Sequence, residues 1–290
     1  MRLFLIAGLL AALVSTAHGQ NSTISVLDFG ATPFAQKTAE TLRERLRSTV
    51  ELLVADADLT RAAAKGIGYS GSLNMSVSEA RDLGAALATD FYILGDAQTL
   101  RRSSSAKPVY YESYCSLFVV SGRTGRLLMW DRPSLQSSQL SDAENQLSAK
   151  LGDAETINRI VIAIRRARED ERVERNVVVT GDDLLIEDAP DDEKTAADQG
   201  LSLPRPYRRL RPEYPESAAR ADAEGTVDVL VDVRADGEIS DVRIARWAGF
   251  GLDEITVATV RQMHFFPAKR NGSPTPMRVL LRYNFRKPPR

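Results

Sequence analysis

The sequence predicts an α+β fold: an N-terminal three-layer α/β domain followed by a small C-terminal domain in which an antiparallel sheet packs against helices. Two observations predict it. Between residues 24 and 130, short apolar segments alternate with segments whose apolar residues recur every three or four positions. After residue 210, two strand-like segments joined by a tight turn precede a helix-like segment and a third strand. The 290 residues, 43% of them hydrophobic, suffice for about two such domains.

The first 19 residues have the layout of a secretory signal peptide. Arg2 precedes an apolar run over residues 3–14, and small residues at positions 17 and 19 precede Gln20. The run ends too early for a membrane-spanning helix, which needs about 20 apolar residues. We therefore expect residues 1–19 to be cleaved and the mature chain to be exported, whereas an uncleaved leader would anchor it in the inner membrane.

Residues 20–135 form the predicted α/β domain. Buried strands are expected at 24–29, 51–55 and 90–95, amphipathic helices at 35–50, 58–65 and 76–88, and a long hairpin over 110–121 and 126–130. Ser76 and Glu79 have the spacing of a capping box, which supports a helix start at that point. Strands alternating with helices favour a sheet that is covered on both faces.

A connector over residues 136–203 separates the two predicted domains. Its first part, 141–172, has the apolar spacing of one helix. The stretch 181–199 then carries eight acidic residues against Lys194, a composition typical of a solvated, mobile linker. A carboxylate metal site is the alternative, but the acidic residues lack the spacing of a calcium loop.

Residues 204–290 form the predicted C-terminal domain. The two prolines at 212 and 215 force an extended entry, because each disfavours a helical predecessor. We expect a short helix at 217–223, strands at 226–233 and 238–245 joined by a turn at Gly237, a helix at 252–263 and a last strand at 276–285.

Several classes of chemistry are excluded or disfavoured by composition. The chain has one cysteine, Cys115, and two histidines, His18 in the leader and His264, so it cannot build a Cys/His zinc cluster or an internal disulfide. The formal net charge of −1 gives no basic field for nucleic acid. Gly66 to Gly71 match a dinucleotide-binding pattern by letter, but they follow a predicted helix and are expected to form a turn. We expect no enzyme, catalytic residue, cofactor or bound metal.

The motifs after residue 210 resemble the C-terminal domain of TonB-family energy transducers. They are, in order, Pro-x-Tyr-Pro at 212–215, Gly-Thr-Val at 225–227, Val-Arg-Ala-Asp-Gly at 233–237, Gly-Leu-Asp at 251–253 and Phe-Pro-Ala at 266–268. The resemblance implies a periplasmic domain that binds the TonB box, an extended peptide of outer-membrane transporters, by adding it as a strand to an open sheet edge. Carried onto this chain, it implies contacts at Arg211, Pro212, Tyr214 and Pro215, and an edge containing Val279, Leu281, Tyr283 and Phe285.

The N-terminal domain resembles the periplasmic domains of the TolB N-terminal and CsgG type. The supporting segments are Ile-x-Val-Leu-Asp-Phe at 24–29 and Asp-Phe-Tyr-Ile-Leu-Gly at 90–95. The combined expectation is a periplasmic, TonB-like protein of a Gram-negative-type bacterium that serves energy-coupled transport. A scaffold that assembles other envelope proteins is the alternative, and a homodimer is left open.

Overall fold

The computed structural model describes residues 21–104, 107–176, 186–190 and 192–287. The predicted signal peptide lies outside these residues. Within them, no helix is both long enough and apolar enough to span a membrane.

The N-terminal half is built around one mixed sheet. Its elements are, in chain order, β1 (Ser22–Val26), α1 (Pro33–Arg47), β2 (Leu52–Val54), α2 (Ala57–Gly66), β3 (Met75–Ser76), α3 (Val77–Leu87), β4 (Phe91–Ser104), β5 (Lys107–Ser121), β6 (Leu127–Asp131), β7 (Ser134–Ser137), α4 (Leu140–Leu151) and α5 (Ala154–Asn176). The strand order is β2-β1-β4-β5-β6, and β7 pairs with the far end of β5. β1 runs parallel to β2 and β4, whereas β4, β5 and β6 are antiparallel.

Both faces of this sheet are covered, which confirms the predicted layers. Phe91 and Ile93 of β4 pack into a core formed with α1, α4 and α5. Their neighbours Tyr92 and Leu94 point to the opposite face and join α3 in a second core. This division follows from the two-residue period of a strand, which sends successive side chains to opposite faces.

Local sequence signals account for several helix boundaries. Thr32 caps α1 by accepting a hydrogen bond from Ala35 N at 3.1 Å, and the predicted capping box of Ser76 and Glu79 opens α3. The single helix predicted for 141–172 is instead two, because Gly152 ends α4 and the chain is recapped immediately afterwards.

The C-terminal half forms a second sheet with smaller elements around it. Its elements are β8 (Glu187–Asp188), α6 (Glu193–Asp198), β9 (Leu201–Ser202), β10 (Arg205–Pro206), α7 (Glu216–Ala221), β11 (Gly225–Val233), β12 (Ile239–Trp247), α8 (Leu252–Val260), β13 (Phe265–Phe266), β14 (Ala268–Arg270), β15 (Ser273–Thr275) and β16 (Met277–Phe285). The main sheet has the order β3-β12-β11-β16-β8. The predicted hairpin, helix and third strand are therefore confirmed.

The acidic stretch differs from the solvated linker that its composition predicts. In its described part, Ala196 of α6 and Leu201 of β9 are buried against Ala268 and Met277. β9 also pairs with β14, so the chain after residue 192 is part of the C-terminal fold. Apolar residues scattered among the carboxylates supply this packing.

The two halves share a core. β3 from the N-terminal half pairs with the end of β12, joining Met75 to Trp247. The Trp247 ring, 1% exposed, stacks on Phe118 of β5 with ring centroids 5.8 Å apart, and its indole N–H donates to Gly125 O at 3.0 Å. Asn74 extends the contact along the sheet. The C-terminal sheet is thus held directly by the N-terminal half.

Candidate functional site

The outer edge of β16 is paired by another strand only at its beginning. On its inner side, β16 pairs with β11 along its full length, from Met277 to Phe285. On its outer side, β8 pairs in parallel with Met277 and Arg278 alone, and Ala189 N donates to Arg278 O at 2.7 Å. Among the described residues, no strand pairs with the outer edge from Val279 onward.

Alternate residues of β16 direct their backbone groups to this open edge. Arg278 O and Arg282 O both accept hydrogen bonds from groups on the outer side. Because backbone groups alternate between the two sides of a strand, Leu280 and Asn284 also direct their N–H and C=O groups outward. Leu280, which is 52% exposed, lies near the start of the open stretch.

The four edge residues named from sequence lie on the inner face of this strand. Val279, Tyr283 and Phe285 are 7–8% exposed and pack in the shared core, with Leu281 packed against it. By the same alternation, their backbone groups pair with β11. These residues anchor the strand. Leu280, Arg282 and Asn284 were not named from the sequence, although the two-residue period of the strand is the signal that separates them from the inward residues.

Paired charges hold the outward side chains of the strand. Asp228 of β11, 5% exposed, accepts from Arg282 Nε and Nη2 at 2.7 and 2.9 Å. Asp232, equally buried, accepts from Arg278 Nε and Nη2 at 2.5 and 3.0 Å. These hydrogen bonds raise the pKa of both arginines and keep them charged. Two-point pairing fixes orientation as well as charge, so the two ion pairs tie β16 to β11.

The Tyr-Pro motif supports the domain from within. Tyr214 Oη donates to Ala223 O at 2.5 Å, and Pro215 occupies the N-cap position of α7. Pro212 is half-buried, and Arg211 is exposed. Among the described residues, no hydrogen bond or ion pair joins these four residues to the open edge.

Arg209 is the residue of this segment that does reach the edge. Its Nη2 donates to Arg282 O at 2.8 Å, and its guanidinium lies 5.4 Å from the centroid of the Tyr283 ring. Arg209 was not singled out from the sequence. The partner of Arg209 is a backbone carbonyl 73 residues away, and no pattern in the sequence identifies such a partner.

The cysteine, the histidine and the glycine-rich segment that were considered from the sequence lie outside the open edge of β16. Cys115 is buried, and burial raises the pKa of its thiol, which disfavours the reactive thiolate. His264 is exposed, 3.6 Å from Glu238. Gly68 and Gly71 lie in the turn that follows α2, as expected. Across the described ranges, no cluster of three metal-ligating side chains is present.

The Pro-x-Tyr-Pro segment, the hairpin of β11 and β12 and the open strand β16 lie in one region of the chain. This region matches a known family model. That model describes the Gram-negative bacterial TonB protein C-terminal region and matches residues 211–286. Residues 211–286 form a TonB C-terminal domain. TonB-type proteins are non-enzymatic transducers.

Individual relatives share this domain. Protein tonB2 of Pseudomonas aeruginosa is 42% identical over 60 residues, which are 20% of this chain and 22% of that protein. The chain thus aligns with about a fifth of that relative. The TonB C-terminal domain of P. aeruginosa in solution is similar at 24% identity with a TM-score of 0.28, over 31% of this chain and 91% of that one.

A further solved structure is similar to half of the chain. The hypothetical protein CT253 from Chlamydia trachomatis matches at 14% identity and a TM-score of 0.33, over 50% of this chain and 95% of that one. The resemblance of the N-terminal half to TolB and CsgG domains stays a prediction.

Proposed function

We propose that this protein is a periplasmic, TonB-like protein that binds an extended segment of an outer-membrane transporter along β16 and serves energy-coupled transport. The observation that carries the proposal is the outer edge of β16, which no described strand pairs from Val279 to Phe285 and where the Arg209 side chain bonds Arg282 O alone. The outward backbone groups of Leu280 and Asn284 would pair with the guest strand, and Leu280 would contact its side chains.

Two neighbouring substitutions separate edge binding from folding. In Leu280→Pro, the lost N–H faces the open edge, so the β11 ladder remains and the fold should survive. In Leu281→Pro, the lost N–H belongs to the inner ladder, so the domain should unfold. Isothermal calorimetry of the full chain with TonB-box peptides should show binding for the wild type and none for Leu280→Pro.

The full chain is the correct material for this test, because isolated residues 204–290 would expose Trp247 and lose β3. Circular dichroism of Leu280→Pro verifies that the variant is folded. Undiminished binding by folded Leu280→Pro, or no binding by the wild type to any TonB-box peptide, would contradict the proposal.

A second candidate function is a scaffold that holds other envelope proteins together, and the shared core favours it. Because β3 and Trp247 join the halves, the protein presents surfaces of both in one fixed arrangement. Pull-down from native membranes with the wild type and Leu280→Pro distinguishes the two functions. Transporters captured only by the wild type support the first, and assembly components captured equally by both support the second.

A further inference from the structure

A large groove lies between the two halves, away from β16. It is lined by β6 and the start of α3 from the N-terminal half and by β12 and α8 from the C-terminal half, and its volume is about 1270 Å³. Small-molecule sites measure about 300–1,000 Å³, so this groove is large enough for a segment of polypeptide. Both tryptophans of the chain, Trp130 and Trp247, line it.

One wall of the groove is an apolar strand edge. The consecutive residues from Leu127 to Trp130 of β6 all line the groove. Consecutive side chains point to opposite faces of a strand, so a groove that contacts each of them in turn borders its edge. β6 pairs with β5 on one side and with no described strand on the other. A largely apolar strand edge of this kind, with its one charged residue Asp131 at the end and paired to Arg159, is a template for pairing with another chain.

The opposite wall includes a second strand edge. Arg243, Ile244 and Ala245 of β12 line the groove, again in sequence. β3 pairs with β12 only at Arg246 and Trp247, so within the described residues the preceding part of that edge has no strand partner. Two open edges, one from each half, therefore border one groove.

The charges around the groove define the partner that it suits. Its lining contains five arginines, at positions 81, 123, 126, 243 and 261, against two carboxylates. One of these, Asp253, is 8% exposed and accepts hydrogen bonds from the backbone N–H groups of Ala248 and Gly249. Arg81 and Arg261 are exposed and form no ion pair with any described residue, and the exposed Glu254 is the one unpaired carboxylate of the lining against them. The groove thus offers free positive charge beside an apolar floor.

We infer that this interdomain groove binds an extended, acidic segment of a partner protein, which adds as a strand to β6 or β12 while its carboxylates face Arg81 and Arg261. Its apolar side chains would lie against Leu127, Trp130 and Ile244. This site is separate from the open edge of β16 and does not depend on the function proposed for that edge.

Tryptophan fluorescence of the full chain tests the inference, because both tryptophans line the groove. The probe is a synthetic peptide of alternating Val and Glu, about eight residues long, a common strand length. The matched control peptide has Lys in place of Glu. We expect the Glu peptide to change the emission saturably, and the Lys peptide to bind at least about tenfold more weakly.

Matched variants assign the binding to the groove. The double variant Arg81→Glu, Arg261→Glu should bind the Glu peptide with an affinity lower by about tenfold or more. Arg101→Glu, an exposed arginine of β4 outside the groove, and Leu280→Pro at the β16 edge should leave the affinity unchanged. Both groove substitutions are at exposed positions, so the variant should remain folded.

Four results would overturn the inference. The first is the absence of a saturable change in emission up to about 1 mM peptide. The second is equal binding of the Glu and Lys peptides. The third is undiminished binding by the double variant, and the fourth is loss of binding in Leu280→Pro. Sedimentation of the wild type supplies a further test, because dimerisation abolished by the double variant would assign the groove to a second copy of the chain instead.

Discussion

Two contacts at the margins of the C-terminal sheet are equal in length and very different in strength. β3 pairs with two residues of β12, and β8 pairs with two residues of β16. The β3 contact is sealed by the buried Trp247 and by Asn74, whereas the β8 contact is flanked by ion pairs of largely exposed carboxylates. Surface pairs of that kind contribute about 0–1 kcal/mol. The first contact is therefore a structural joint, and the second is a weaker cap at the start of β16.

Trp247→Ala should lower the free energy of unfolding the most, because it removes the largest buried side chain of the joint. Removal of a large buried aromatic side chain costs about 3–5 kcal/mol. Since Trp247 packs on Phe118 of the N-terminal sheet, urea unfolding should be shifted for probes of both halves together. Loss of stability confined to the C-terminal half would show that the joint does not couple them.

Asp253 should make the joint sensitive to pH. Burial raises the pKa of this carboxyl to about 7 from an unfolded value of 3.8, although Ala248 and Gly249 N–H groups favour the carboxylate. The folded state then binds more protons between these two values, so this contribution to stability is complete below pH 4 and is lost as pH rises to 7.

The measurement is the free energy of unfolding of the wild type relative to Asp253→Asn at several pH values. We expect this difference to fall by a few kcal/mol between pH 4 and 7 and to stay constant above about pH 8. A difference that rises with pH over the same interval would mean that the backbone donors dominate and the folded pKa is lowered.

Asn74→Ala should weaken the same joint by less. The Asn74 amide accepts from Thr226 N at 3.0 Å and donates to Thr226 O and Trp247 O at 2.8 and 2.7 Å. Leaving a fully buried group unpaired costs about 1–3 kcal/mol, and these groups are partly buried, so we expect a loss toward the lower end of that range. Asn145→Ala, at an exposed position of α4, is the control and should change the unfolding free energy by at most about 0.5 kcal/mol. Equal effects of the two substitutions on the unfolding free energy would show that Asn74 does not stabilise the joint.

Ala189→Pro should give the smallest effect, and we expect it to change the affinity for a peptide and not the stability of the fold. It deletes the N–H that donates to Arg278 O, so β8 should separate more readily from β16. We expect TonB-box peptides to bind about threefold more tightly, because the competing cap is weakened. Asp188→Asn, which removes only the 3.4 Å ion pair to Arg278, should change the affinity less. Weaker binding by Ala189→Pro would mean that β8 is part of the peptide site.

The sequence predicted what is encoded locally. The hairpin turn at Gly237, the capping box at Ser76 and the alternating valines of β11 each depend on neighbouring residues, and each was found. The period of β16 also located the strand to within one residue. The four residues that the resemblance implied on that strand have their backbone groups paired with β11, and their contact with a partner stays a prediction.

The joint and the cap could not be predicted in the same way. Asn74 lies 152 residues from Thr226 and 173 from Trp247, and nothing in its surroundings distinguishes it from a loop asparagine. The acidic composition around β8 favours solvation, and only the folded C-terminal sheet supplies the surface on which Ala189 and Ala196 pack. Such contacts depend on tertiary structure that local patterns do not contain.

Hydrogen exchange of the full chain, resolved at single amides by NMR, tests the central claim most directly. Without peptide, the outward amides of Leu280, Arg282 and Asn284 should exchange rapidly while those of Val279, Leu281 and Tyr283 are protected by β11. A TonB-box peptide should protect the first three and leave the second three unchanged. Protection of all six amides before any peptide is added would contradict the claim that this edge is open to a guest strand.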